Sequence, residues 1–258
     1  MAVLSSLANI MAAESNAAAN QRDTFYGTKN AVATVANTLL VMDGAGYPTT
    51  STTITFPNVS TEQRHLLSAT AYRNLAYGFA ILYDELSIGS TVTINTTGDK
   101  AVNTPALTRY TDGIDVEAWV VVTTAGTTTA PIVSASSYTD QSGNTASAGA
   151  TVTFGSATLA ANNAYRLPMA TGDTGIRAVA NLNVATAGGG SAAARVVLVK
   201  PLAIIPLVSA LGAPVGGDFA LQRTPMPRIY DGAALKWAMF CTSTVNVAFE
   251  FTIRTIVG

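Results

Sequence analysis

The sequence predicts a mainly β protein: an antiparallel β sandwich, jelly-roll-like, with an N-terminal helical arm and one further helix opening near Ser60. Three observations carry this. Thr and Val, β-branched residues suited to a pleated surface, are abundant, with Thr alone present 36 times in 258 residues. The C-terminal segment alternates with period two: Val245, Val247, Phe249, Phe251 and Ile253 share one face, and Asn246, Ala248, Glu250, Thr252 and Arg254 share the other. Turn-forming runs recur at Asp43-Gly44, Gly46-Tyr47-Pro48, Ser142-Gly143, Gly188-Gly189-Gly190, Gly216-Gly217 and Asp231-Gly232. Many short segments between such turns favour a sandwich or barrel over an alternating α/β order. The length suits one large domain, residues 30–258, preceded by an arm and connector over 1–29.

The elements follow in order. Residues 2–20 are Ala-rich, and Leu4, Leu7 and Met11 recur at spacings of three and four, so a helix is expected. With Glu14 its only charge, this helix needs a surface to lie against, on its own domain or on a neighbouring subunit. Gln21 to Lys29 is polar and reads as a connector. Strands are expected at 31–42, 52–56, 90–96, 117–124, 131–138, 150–158, 176–185, 194–205, 234–242 and 245–257. Within 176–185, Ile176, Ala178, Ala180, Leu182 and Val184 alternate. Val196 to Val199 is continuously apolar and would be buried on both faces. Ser243-Thr244 reads as a tight turn that makes 234–257 a hairpin. Ser60-Thr61-Glu62-Gln63 resembles a capping box, followed by Tyr72, Leu75, Phe79, Leu82 and Leu86 at helical spacing. Gly78 interrupts that pattern, so 76–86 stays open between helix and buried strand. The Thr/Ala/Ser/Gly-rich stretch 123–161 reads as hairpins.

Composition narrows the function classes. Hydrophobic residues make up 48% and charged residues 11%, against about 25% charged in an average soluble domain. The chain is too apolar for intrinsic disorder. A net charge of −1 without a Lys/Arg cluster argues against nucleic acid as a partner. The longest apolar stretch, Val196 to Leu211, is broken by Lys200, Pro201 and Pro206. A spanning helix needs roughly 20 apolar residues, so no membrane partner is expected. No Lys or Arg precedes Arg22, so a signal peptide is not expected either. Cys241 is the only cysteine and sits in an apolar run, where it reads as a small buried hydrophobe. That fits assembly in a reducing cytoplasm.

Catalytic chemistry is sparsely represented. His65 is the only histidine, and a Ser-His-Asp arrangement would have to use it. No G-x-S-x-G elbow accompanies it, and it reads as an ordinary surface or half-buried side chain. Asp112, Asp115 and Glu117 are the densest acidic cluster and the weak candidates for a Ca²⁺ site, although the EF-hand spacing is missing. Asp84-Glu85 could join them as paired carboxylates only through the tertiary fold. Gly188-Gly189-Gly190-Ser191 lacks the Lys-Ser/Thr of a phosphate cradle and reads as a hairpin tip. Asn58-Val59-Ser60 and Asn95-Thr96-Thr97 match the glycosylation pattern but carry no weight without a secretory signal. Trp119, Trp237, Tyr230 and Phe240 could form a stacking platform for sugars or single strands, with core packing the favoured alternative. No cofactor is expected, nor enzymatic activity.

A charge-poor exterior suits burial between subunits. Arg outnumbers Lys ten to four, and Arg is the residue suited to packed interfaces. Ile176-Arg177-Ala178-Val179, the run VVLVKPLAIIPL from Val196 to Leu207, and the C-terminal PRIYDGAALKWAMF are similar in style to sandwich proteins of phage heads and tails. With the Ala/Thr/Gly-rich, Lys-poor composition, the chain resembles tailed-bacteriophage virion structural proteins. That resemblance implies a non-enzymatic homo-oligomer within a virion, partnered by itself and other virion proteins and assembled in the host cytoplasm. Its leading form is a capsid decoration or cement protein. The alternatives are a capsid-shell, collar or tail-tube subunit and, from another class, a carbohydrate- or receptor-binding module using Tyr230 and Trp237.

Overall fold

The computed structural model describes residues 22–33, 38–41, 53–59, 62–73, 78–126, 129–148, 150–155, 159–207, 215–218, 226–242 and 246–258. The expected helical arm over 2–20, with Leu4, Leu7 and Met11, lies outside them, as do the turns at Asp43-Gly44, Gly46-Tyr47-Pro48 and Ser243-Thr244. Among the described residues every regular element is a strand. In chain order they are β1 (Arg22–Ala33), β2 (Thr38–Val41), β3 (Arg64–Arg73), β4 (Gly78–Ile88), β5 (Val92–Thr93) and β6 (Gly98–Ala101). Then come β7 (Glu117–Thr124), β8 (Ile132–Asp140), β9 (Thr145–Ala146), β10 (Val152–Thr153), β11 (Asn163–Arg166) and β12 (Ile176–Thr186). The last are β13 (Ala193–Leu207), β14 (Val215–Asp218), β15 (Arg228–Ile229), β16 (Leu235–Cys241) and β17 (Asn246–Val257). The chain divides into two compact units, 1–34 with 42–82 and 202–258, and 35–41 with 83–201.

In the first unit, β17 is the centre of an antiparallel sheet ordered β1-β17-β3-β14, with β15 also on β3. The alternation read in β17 is borne out: Phe249, Phe251 and Ile253 are buried, whereas Glu250 and Thr252 are half-buried and Arg254 is exposed. Phe251 stands opposite Ala71 and Ile253 opposite Ala69, so large side chains meet small ones across the ladder. Two expectations are corrected here. Residues 22–29 continue the ladder with β17 and are not a connector. β16 and β17 are not a hairpin, because they lie in different sheets. Trp237 of β16 packs against β17 instead, edge-on to Phe249 and tilted against Phe251, with ring centroids 5.5 and 5.3 Å apart. Gly216-Gly217, read as a turn, lies within β14 and pairs with β3.

The helix expected from Ser60 does not form among the described residues, which begin at Glu62 here. Glu62 and Gln63 precede β3; of the helically spaced apolar residues Tyr72 falls on β3 and Phe79, Leu82 and Leu86 on β4, while Leu75 lies outside the described residues. From Ala80 to Tyr83 the run is continuously buried, which a strand covered on both faces achieves and a one-sided amphipathic helix does not. Tertiary pairing outweighs the helical propensity of Leu and Ala there.

In the second unit, two layers enclose one core. One is ordered β10-β8-β12-β6, with β9 on β8, and the other contains β2-β11-β7-β13-β5. Val133, Ala135 and Tyr138 from β8 and Val179, Leu182 and Val184 from β12 meet Ala118, Val120 and Val122 from β7 and Ala194, Val196 and Leu198 from β13. Val196 to Val199 is buried on both faces as expected. β12 departs from simple alternation, because Ala178 and Ala180 are half-buried while Val179 is buried. Extra residues between Ile176 and Ala178 and between Val179 and Asn181 each reverse the phase, so the inward set becomes Ile176, Val179, Leu182 and Val184.

Trp237 is fully buried against two phenylalanines. We expect Trp237→Ala to lower unfolding free energy by about 3–5 kcal/mol, measured by the shift in a urea unfolding midpoint.

Candidate functional site

The densest polar construction among the described residues is a cluster of loops in the second unit. β8 ends at Asp140, whose Oδ1 accepts hydrogen bonds from the Ser142 and Asn144 backbone N–H groups, both at 2.8 Å. Gly143 closes this turn at φ +85°, a conformation available to glycine at little cost. Arg177 is the extra residue of the first bulge in β12. Its Nη2 donates to the Gln141 carbonyl at 2.6 Å and its Nε to the Asp112 carbonyl at 3.3 Å. Gln141 Oε1 in turn accepts from the Thr174 and Gly175 N–H groups at 3.2 and 3.3 Å. A Cβ on Gly175 would stand 1.9 Å from the Gly113 carbonyl oxygen, so only glycine lets these two loops touch. The Tyr138 hydroxyl donates to Asp173 and accepts from Ala170 N–H at 2.7 Å. Burial, then the hydrogen bond to Asp173, raise the Tyr138 pKa above its ordinary value. One arginine, one glutamine and one tyrosine thus lock three loops into a single rigid surface.

The acidic candidates do not converge. Asp112 accepts from Ile114 N–H at 3.1 Å within its own turn. Asp115 sits before β7 in a left-handed conformation, φ 54°, and pairs with Lys200 at 3.2 Å. Glu117 accepts from Trp119 Nε1 at 2.8 Å and pairs with Arg166 at 3.2 Å. Asp115 and Glu117 therefore do not share a strand face, because β7 begins only at Glu117. Among the described residues no three His, Cys, Asp or Glu side chains are placed to hold a metal ion.

Asp84 is separate from these, fully buried in β4. Arg109 grips it bidentately, Nε to Oδ2 at 2.9 Å and Nη2 to Oδ1 at 2.8 Å, and Nη2 also donates to the Glu85 carbonyl at 2.9 Å. Ser87 Oγ donates to the Pro105 carbonyl at 2.7 Å, so the loop after β6 is fixed to β4 at two points. The sequence reading reached Asp84 only as a possible catalytic carboxylate. The available signal is its place directly after the apolar run from Phe79 to Tyr83, where a buried charge needs a dedicated partner.

His65, expected at the surface or half-buried, is only 2% exposed on β3. Nδ1 has no hydrogen-bond partner among the described residues. Burial, reinforced by the Arg228 charge, pushes its pKa below the ordinary value, against a backbone hydrogen bond at Gln63 that raises it. The imidazole is packed inside the sheet. The aromatic candidates are likewise occupied. Trp119 is buried against Tyr83 at 5.0 Å, and Trp237 fills the core of the other unit. Phe240 stacks on Phe79 at 5.0 Å, and the Arg228 guanidinium lies 4.2 Å from the Tyr230 ring. They form no common platform. The side chain of Cys241 lies outside the described residues.

Asp84→Ala should cost about 3–5 kcal/mol in chemical denaturation, because it strands a largely buried guanidinium. Glu117→Ala, which opens a pair whose arginine is 61% exposed, should lose no more than about 1 kcal/mol in ion pairing. His65 takes up its proton more readily in the unfolded chain, so its neutral burial supports the fold above about pH 6.5 and loses that support as pH falls below it. In thermal melts, His65→Gln should flatten the decline of stability between pH 7 and pH 5.

No protein-family model matches this chain, and no curated protein matches it. Similar solved structures come from infectious bursal disease virus. Its VP2 subviral particle is 10% identical over 93% of this chain and 81% of that chain, with a TM-score of 0.20. Its derived T=1 particles are 11% identical over 93% and 78%, with a TM-score of 0.21. The structure of its Gt strain is 10% identical over 93% and 81%, with a TM-score of 0.19. These values are too low to show a shared fold.

Proposed function

We propose that this protein is a non-enzymatic structural subunit of a virion, acting as a homo-oligomer beside other virion proteins in a particle assembled in the host cytoplasm. The form we favour is a capsid decoration or cement protein; a shell, collar or tail-tube subunit is the alternative. The observation that carries this reading is the makeup of the sheet surfaces. On β8 and β12 the half-buried positions are Ile132, Ser134, Ser136, Ser137, Thr139, Arg177, Ala178, Ala180, Asn181, Asn183 and Thr186. Arg177 is their only charge, and it is held by two loop carbonyls.

Covering such a surface costs little. Long charged side chains lose about 1.5–2 kcal/mol of rotamer freedom when immobilised, whereas Ala loses essentially none. Each apolar Å² removed from water contributes about 25 cal/mol, and repeated weak contacts accumulate through avidity. The rigid loop cluster around Arg177 supplies a pre-ordered surface of the same kind. The carbohydrate-binding alternative is disfavoured because Trp237 is 0% exposed.

Mass photometry and negative-stain imaging of the purified protein test the reading. Discrete closed oligomers are expected. Extended stacked rings would move the assignment to a tail tube. A monomer at all accessible concentrations that also ignores preformed shells would overturn the proposal.

A further inference from the structure

β1 ends the order β1-β17-β3-β14, so among the described residues one side of this twelve-residue strand carries no ladder. Its pairing with β17 is regular from Arg22 to Lys29, residue for residue, and becomes irregular only between Lys29 and Val32. A regular edge with no ladder among the described residues is a template for another strand. We propose that the occupant is β1 of a second copy of this chain, paired antiparallel about a two-fold axis through Tyr26. The proposal deepens the self-association reading above and rests on it.

The argument is one of register. A two-fold axis perpendicular to the sheet keeps the same face of both copies on the same side, so only residues of equal parity can stand opposite one another. With Tyr26 on the axis, Asp23 faces Lys29 of the second copy, and Lys29 faces Asp23. Thr24 faces Thr28, and Phe25 faces Gly27, each twice by symmetry. Opposite charges, paired threonines and an aromatic residue across from a glycine are favourable cross-strand combinations. The neighbouring allowed registers lose this match. With Phe25 on the axis, Asp23 meets Gly27; with Gly27 on the axis, Asp23 meets Ala31. The complementary window of 23–29 falls within the regular part of β1, so the existing twist of the sheet continues into the second copy.

Sedimentation velocity over a concentration series at low salt, on the full-length protein, reads the interface. Asp23→Lys and Lys29→Asp each turn two attractive pairs into two repulsive ones, and each should weaken self-association about tenfold or more. The double variant D23K/K29D restores both pairs and should recover most of that loss. Independently, Tyr26→Cys in a Cys241→Ser background should form a disulfide-linked dimer on mild oxidation, because only position 26 faces itself. Thr24→Cys should not, since its copies stand about 13 Å apart along the strand. An oligomer unaffected by either reversal and not linked through position 26 would overturn the β1 interface while leaving self-association intact. A wild-type protein that stays monomeric throughout, with no link through position 26, would overturn both.

Discussion

Strand parity is the constraint on which both units depend. Each core is made by side chains that must all point inward from strands whose positions alternate, and one slip of register would turn an apolar set outward. In β17 the alternation is uninterrupted from Phe249 to Ile253, and the ladder with β3 changes register only between Arg254 and Thr255. In β12 the inward set is reached by changing phase twice, which lets Ile176, Val179 and Leu182 face the same interior although they are three apart. β8 makes the matching adjustment, with Ala135 and Tyr138 both buried. The bulges do more than repair phase. The extra residue of the first is Arg177, and its displacement lets the guanidinium reach Gln141 and Asp112 and join two loops. Local irregularity in the sheet therefore builds the most ordered part of the surface.

The scarce charges follow a consistent rule. Most described carboxylates are spent within the fold, on a cation, a backbone N–H or a turn. Magnitudes separate these roles. The Asp84–Arg109 pair is deep enough that either partner alone would be an uncompensated charge, so it fixes the loop after β6 onto β4. In Arg166–Glu117 the arginine lies largely in water, so the ion pair itself contributes little, while Glu117 also accepts from the Trp119 indole. Asp140 acts through hydrogen bonds to N–H groups, shaping a turn and not opposing a charge. The result is a surface whose specificity comes mainly from small neutral side chains and from strand edges.

Much of the strand content was legible because its signals are local. The alternation of β17, the apolar continuity of Val196 to Val199 and the boundaries of β7 all follow from neighbouring residues in the chain. What was not legible depended on distant partners. β3 and β4 have apolar spacings that suit a helix equally well, and only pairing partners far along the chain decide between them. The same holds for β16 and β17: their sequences fit a hairpin, but the strands lie in different sheets and Trp237 packs on Phe249 and Phe251 between them. The bulges in β12 carry no glycine or proline to announce them. Of the site, Asp84 was visible as a charge in an apolar run, whereas Arg109 as its partner was not, since nothing local links residues 25 apart. The acidic cluster around Asp115 does not form a ligand set because each carboxylate has its own partner: Asp112 the Ile114 N–H, Asp115 Lys200, and Glu117 Arg166 and Trp119.

These strands bring the low charge content into contact with a second problem, the open edge. Lysines and other like charges commonly guard edges against unwanted pairing, and this chain has only 4 lysines. β1 carries one of them, together with Arg22 and Asp23. A guarded edge repels every approaching strand because its charges have one sign. An edge with both signs behaves differently: it disfavours registers that bring like charges together and rewards the one in which the signs cross. Asp23 and Lys29 lie equally far from Tyr26, so the rewarded register for a second copy is the symmetric one. Asp23 and Lys29 on such an edge then provide both specificity and protection, so that a strand with no ladder on one side among the described residues does not pair indiscriminately.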